Sequence, residues 1–509
     1  MSRGILSGRS ASFLGLLLAL TLGCYGTPNQ AKSGSAGSGG STGGTGGTSG
    51  RGGSGTGGSS GSGGTGGASA CAGTCESFQY CAGVNRCLPT YVSTRVLAVN
   101  PAMKTPAITV SDAVNSIPAA IVATNGDLFV QTRVQGQVVF GTGTATSVVG
   151  STDEFALYKG LARYSSSGTL QWARDMMLML GDSVNFDSIG PVALAANGNF
   201  VVAYNRGDPP PPPPGTPTSQ YRVALVDGGN PAITWEASFG INGPAATYVA
   251  PRTARNDVIT TAVAPDQFHG CCSSIQQVTN NGAMVKNLGA INYATGTVPG
   301  RDGSTLWMYG AYAGTLQLNP WSTMTYNVPA NPSQFGMYDA FIIGAKDDGT
   351  SFGPWITQGD VGPGLLGFAL PQDGKPIVTM AGTAPVRING QDVITSAGQA
   401  IFKLDAAAGT VVWKTDIPDS PNGLAIVDAN QDAATVPLQM ASPTVRLYAG
   451  TDGSARSSFT VPGTVHQLVG SPGDLYIVGV VSTAADFNPG AGVDVQGATP
   501  GIFISHYTF

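Results

Sequence analysis

Asn125-Gly126-Asp127-Leu128-Phe129-Val130 joins a tight turn to a β run. Asn and Gly tolerate the positive φ that a two-residue hairpin turn requires. The apolar residues that follow, β-branched and aromatic among them, suit a strand. The pattern recurs along the chain, at Asn197-Gly198-Asn199-Phe200-Val201-Val202, more weakly at Asn256-Asp257-Val258-Ile259, and at Asp302-Gly303-Ser304-Thr305-Leu306-Trp307. It returns at Asp373-Gly374-Lys375-Pro376-Ile377-Val378, in degraded form near Asn430-Gln431-Asp432, and at Pro472-Gly473-Asp474-Leu475-Tyr476-Ile477-Val478. The mean spacing is about 58 residues, a period that marks repeat architectures.

A second mark follows the turn in several repeats. Phe155-Ala156-Leu157, Phe341-Ile342-Ile343, Ile401-Phe402-Lys403-Leu404-Asp405 and Ile502-Phe503-Ile504 are short strand runs. Three repeats then show a Gly turn followed by Trp: Gly168 with Trp172, Gly349 with Trp355, and Gly409 with Trp413. Trp235 ends the second repeat in the same phase. An aromatic at one fixed place per unit is expected to pack between units rather than to hold a ligand.

Each unit thus has four short strands. Seven such units predict an all-β fold, a propeller of seven blades with four antiparallel strands each, whose radial repetition protects the sheet edges. The order of marks, with Phe140-Gly141 and Asp486-Phe487-Asn488-Pro489-Gly490, resembles the bacterial surface β-propeller repeat called SBBP over residues 116–509. The resemblance is good in repeats one, two, four, five and seven and poor in three and six. It implies a fold and a cell-surface location, with no common activity. Repeat seven stops at Phe509 without its Gly and Trp strand, whereas Thr94-Arg95-Val96-Leu97-Ala98-Val99 stands alone before repeat one. That lone strand is predicted to complete the last blade beside Phe503–Tyr507.

Composition agrees with a turn-rich β protein. Only 10% of residues are charged, against about 25% in an average domain, and there are 74 Gly and 34 Pro. The apolar fraction of 42% still fills a core. Net charge is −5 with no basic block, so nothing here would neutralise nucleic-acid phosphates.

The N-terminus carries an address. Arg3 and Arg9 precede the apolar run Phe13–Leu22, and small Gly23 precedes Cys24. This is the layout of a signal peptide over residues 1–24. Leu20-Thr21-Leu22-Gly23-Cys24 resembles a bacterial lipobox, departing from it at Thr21, where Leu is usual. The resemblance implies diacylglycerol on Cys24 and acyl chains such as palmitate. With Tyr25 rather than Asp next, it also implies anchoring at the outer membrane or cell surface; simple secretion is the alternative. Residues 25–70 read as a linker, almost wholly Gly, Ser and Thr from Ser33 to Ser69, too polar to fold.

Cys71, Cys75, Cys81 and Cys87 lie in an exported chain and predict two disulfides, with three connectivities open. Zinc is the rival, disfavoured because no His is near. Residues 71–88 are expected to form a small stapled segment, and 89–509 the propeller. Cys271 and Cys272 are adjacent, so a vicinal disulfide competes with two free thiols.

Chemistry is sparse. His269, His466 and His506 are far apart and form no metal or protease motif. Asp153-Glu154 and Asp347-Asp348 are paired carboxylates that read best as turn caps. No catalytic residue, cofactor site or metal site is assigned. Arg206-Gly207-Asp208 leads into six prolines at 209–214, a stiff loop. Tyr309, Tyr312, Trp321 and Tyr338 crowd one long gap between turns and suit either a polysaccharide platform or the core. The function expected is a non-enzymatic, monomeric binding or scaffold propeller, held to a membrane by its lipid. Its partner would be a surface polysaccharide or protein. A propeller-based glycan hydrolase or lyase and a purely structural envelope component are the alternatives.

Overall fold

The computed structural model describes most of residues 75–509 and none of residues 1–74. Cys24, the linker and Cys71 therefore lie outside the described residues. Ser69–Phe509 forms one compact unit.

Sheets of the expected kind follow one another along the chain. The first contains Ala119–Val122, Leu128–Gln135, Leu157–Tyr164 and Leu170–Asp175; the second contains Ala193–Leu194, Phe200–Gly207, Ser219–Val226 and Ile233–Phe239. The third contains Thr247–Arg252, Asp257–Asp266, Gly270–Thr279 and Met284–Asn292. Ala294–Pro299, Thr305–Tyr312, Asp339–Lys346 and Ser351–Gln358 begin the fourth. The fifth contains Leu365–Ala369, Ile377–Gly382, Gly398–Asp405 and Thr410–Ile417, and the sixth Gly423–Ile426, Ala433–Val436, Thr444–Tyr448 and Ala455–Thr460. The closing sheet contains Thr464–Ser471, Asp474–Val481, Gly501–Thr508 and Thr90–Ala98. First strands of neighbouring sheets touch one another, except that at the fourth-to-fifth junction Thr305–Tyr312 meets Leu365–Ala369, so the sheets stack side by side as a β-propeller.

The count needs one correction. Six four-stranded blades are present where the sequence predicts seven, because the fourth sheet has six strands. Val386–Ile388 and Gln391–Ile394 form a hairpin inserted in the fifth sheet's stretch of chain, yet Thr357 and Gln358 of the fourth sheet pair with Ile388 and Arg387. The hairpin thus extends a neighbour rather than its own sheet.

Ring closure is as expected. Val96 lies opposite Phe503, Leu97 opposite Ile502 and Thr94 opposite Ser505, antiparallel. Val99 lies outside the described residues. The repeat's second strands begin at the turn motifs, and the turn glycines Gly126, Gly198, Gly374 and Gly473 have φ between 73° and 94°. Only glycine adopts that region without strain, which explains its recurrence. Asn125 Oδ1 accepts from Asp127 N, and Asp373 Oδ1 from Lys375 N, the same side-chain turn in two repeats.

The core is a series of wedges between sheets. Leu128, Val130 and Ala162 of the first sheet meet Val478, Ile502 and Ile504 of the closing sheet, and Val138, Phe140 and Val149 fill the same wedge. Those last three belong to a hairpin, Gln137–Thr142 and Ala145–Gly150, inserted after the first sheet's second strand. Val386, Ile388, Val393 and Ile394 do the same between the fourth and fifth sheets. Phe487, in the corresponding insertion of the closing sheet, packs toward the sixth. Sheets that diverge from a centre leave a gap at their outer edges, and these insertions fill it. They fold inward as packing.

Between the first and second sheets the gap is closed by the short helix Met176–Leu180 with Ile189 and Val192. No helix among the described residues is long and apolar enough to cross a membrane.

Candidate functional site

The repeated tryptophans are clamps between sheets. Trp172 Nε1 donates to the Gly228 carbonyl at 2.9 Å, and Arg163 donates to the same oxygen at 2.6 Å while pairing with Asp127. At the fifth-to-sixth junction the device returns. Trp413 Nε1 and Lys403 Nζ each donate to the Gly450 carbonyl at 3.1 Å, and Lys403 pairs with Asp373 at 2.9 Å. Arg163 lies opposite Trp172 in register as Lys403 lies opposite Trp413. The other two Trp take the same place. A Cβ on Gly282 would meet the Trp235 ring at 3.3 Å, and one on Gly409 would collide with the Trp355 indole. The expectation that these tryptophans pack between units holds. The basic partner belongs to two of the four: Arg163 and Lys403 lie opposite Trp172 and Trp413, whereas Trp235 lies opposite Leu225 and Trp355 opposite Ile342.

Other ionisable groups are spent the same way. Arg95 Nη2 donates to the Ser167 carbonyl at 2.5 Å, tying the closing strand to the first sheet, and fills the space a side chain on Gly168 would need. Tyr204 and Arg222 both bond the Glu236 carboxylate, whose pKa burial raises. His506 Nε2 lies 2.7 Å from Asp474 Oδ1 with its ring stacked on Tyr476.

His466 is the exception. It sits in the innermost strand of the closing sheet, at the bulge between Val465 and Gln467. It is 5% exposed, and neither ring nitrogen has a hydrogen-bond partner among the described residues. Burial pulls its pKa down to about 4, so the imidazole is neutral at physiological pH. It then offers one N–H and one lone pair. The described side chains on the neighbouring first strands are mostly apolar, among them Ile121, Leu424, Ala425 and Ile426.

The remaining candidates separate. Tyr309 stacks on Phe368 at 4.8 Å against the core of the fourth and fifth sheets, and burial pushes its pKa up to about 12. It is packing, not a platform. Tyr312 ends a strand with its side chain outside the described residues, where Trp321, Tyr338, His269, Asp153-Glu154 and Asp347-Asp348 also lie. Arg206 and Gly207 end a strand, and Asp208 with the six prolines is outside. Among the described residues no three His, Cys, Asp or Glu gather to hold a metal.

Of the cysteines, Cys75 and Cys87 form a disulfide and Cys81 is disulfide-bonded too, which removes the zinc reading. The backbone of Cys271 and Cys272 lies in a strand opposite Pro265 and Ala264, with side chains outside the described residues.

No family model matches the chain, and no curated protein sequence matches it. Among solved structures, BamB from Moraxella catarrhalis is similar with a TM-score of 0.39 and 12% identity, over 83% of this chain and 100% of that one. The Dos1 propeller gives 0.42 and 8%, over 83% and 95%. A quinohemoprotein alcohol dehydrogenase from Comamonas testosteroni gives 0.38 and 10%, over 77% and 75%. At these scores the assignment to the β-propellers stands on the sheet order and the packing between sheets.

Proposed function

We propose that this chain is a surface lipoprotein whose propeller serves non-enzymatic binding or scaffolding at the cell envelope. In this reading the ring is built from SBBP-type repeats. Cys24 carries the lipid, residues 25–70 are the spacer, and Cys71 pairs with Cys81. The protein acts as a monomer toward a surface polysaccharide or protein.

The observation that carries the reading is the use of ionisable side chains as clamps from sheet to sheet. Arg163, Lys403, Arg95 and Glu236 are bonded into junctions or within sheets, which makes a rigid frame. A rigid frame keeps binding loops in place at low entropic cost.

Two measurements test it. Ser69–Phe509, made without the anchor, should bind envelope polysaccharide or surface protein and leave glycans uncut. Cleavage of a glycan would replace this reading with the enzymatic alternative. In the full chain, Cys24→Ser should abolish palmitate labelling and release the protein from membranes; labelling that persists rejects the anchor.

A further inference from the structure

We propose that the disulfide-stapled segment at Cys75–Leu88 is the clasp of the ring, and that a small dithiol opens the closing junction by reducing Cys75–Cys87. The proposal does not depend on what the propeller binds.

The junction between the sixth and closing sheets has no tryptophan clamp. The sixth sheet's outer strand, Ala455–Thr460, carries Phe459 instead. Phe78 of the stapled segment is 5% exposed and meets Phe459 edge-on, with ring centres 6.1 Å apart. Phe459 in turn lies 4.7 Å from Tyr507 of the closing sheet. Phe78 thus joins Phe487, from the closing sheet's own insertion, in filling this wedge.

The segment grips both sides of the junction. On the sixth sheet, Tyr80 Oη donates to Asp432 Oδ2 at 3.0 Å, and the Arg456 guanidinium lies 5.3 Å above the Tyr80 ring. On the closing sheet, Glu76 Oε2 accepts from Ala491 N at 3.2 Å. The chain then enters Thr90–Ala98, where Tyr91 bonds Asp494 and Arg95 reaches the first sheet. One short stretch therefore ties three sheets together.

Its own shape depends on the cross-link. Besides the cross-link the segment is held by a two-residue β pairing, Tyr80 with Leu88 and Cys81 with Cys87, by the turn bond from Gln79 N to the Glu76 carbonyl, and by Gln79 Nε2 donating to the Pro89 carbonyl. The Cys75–Cys87 bond closes a loop with a sequence separation of 12. Both cysteines are half-buried, within reach of a small reagent. A thiolate attacks one sulfur and displaces the other as thiolate. The second thiol of the reagent then completes its own disulfide, so two electrons and two protons pass to Cys75 and Cys87. With the loop released, Phe78 loses its fixed position and the Phe459–Tyr507 contact is left uncovered.

Hydrogen exchange on the full chain, with and without dithiothreitol, tests the clasp. On reduction, amides of Gly501–Thr508 and Ala455–Thr460 should exchange about tenfold faster, with Leu128–Gln135 and Phe200–Gly207 unchanged. Cys75→Ser with Cys87→Ser should reproduce this without reductant. Phe78→Ala with the disulfide intact should loosen Ala455–Thr460. Acceleration confined to the stapled segment, or spread evenly over all sheets, overturns the proposal. A double variant that exchanges like the oxidised protein also overturns it, assigning the effect to the Cys81 bond. If the double variant does not fold, reduction of the folded wild type decides on the same outcomes.

Discussion

The fifth-to-sixth junction and the sixth-to-closing junction meet one packing problem with different parts. In the first, Trp413 and Lys403 converge on the Gly450 carbonyl over a core of Ile377, Ile401 and Tyr448. In the second, the repeat has no tryptophan, and Phe78 arrives from outside the repeats to meet Phe459. Where the repeat signal decays, a non-repeat segment takes over its structural task. A regular junction depends on residues within the repeat, whereas the closing junction depends on a distant piece of chain held by a cross-link.

The largest expected effect breaks the regular side. Trp413→Ala removes a buried indole and its bond to the Gly450 carbonyl, leaving Lys403 to hold the junction through Asp373 and Gly450, so it should cost about 4 kcal/mol in urea unfolding. Phe78→Ala attacks the other side and should cost about 3 kcal/mol, a little less because the segment lies at the edge. If Phe78→Ala is neutral, the two junctions are not equivalent.

Acid sharpens the contrast, because His466 is buried in the closing sheet. Its folded pKa, about 4, lies below the unfolded value near 6.5, so only the unfolded chain takes up the proton between those limits. Stability should be full above pH 6.5 and fall as pH drops toward 4, by about 2–3 kcal/mol. His466→Leu should flatten that limb of a urea-midpoint series; an unchanged slope assigns the acid response to other groups. Smallest is Tyr80→Phe, which deletes the bond to Asp432 and should cost about 1 kcal/mol.

Much of this contrast was visible in the residues. The turn motifs mark second strands because positive-φ glycine and β-branched runs are local signals. The Trp phase is equally local, and the lone strand at Thr94 precedes repeat one with no partner in its own stretch of chain. Other features were hidden for a physical reason. Alternation in Gln137–Gly150 says that one face is buried, but not that the hairpin turns into the gap beside the previous sheet. Cysteine spacing predicts a staple without saying where Phe78 docks. Nor does anything near His466 in sequence distinguish an unpartnered imidazole from a satisfied one. The fourth sheet's two extra strands come from a hairpin whose partner is chosen by three-dimensional proximity.

The closing sheet also sets an order of events in time. Thr94 bonds Ser505 across a sequence separation of 411 residues. A chain made or exported from its N-terminus must therefore hold Thr90–Ala98 without its partner until Gly501–Thr508 arrives. At about 5–20 residues per second that wait is on the order of tens of seconds. Throughout it the unpaired edge of Thr90–Ala98 is open to pairing with another chain. The stapled loop, whose cysteines lie close together, can form long before the ring does. The earliest structure in this protein is thus the piece that completes the latest.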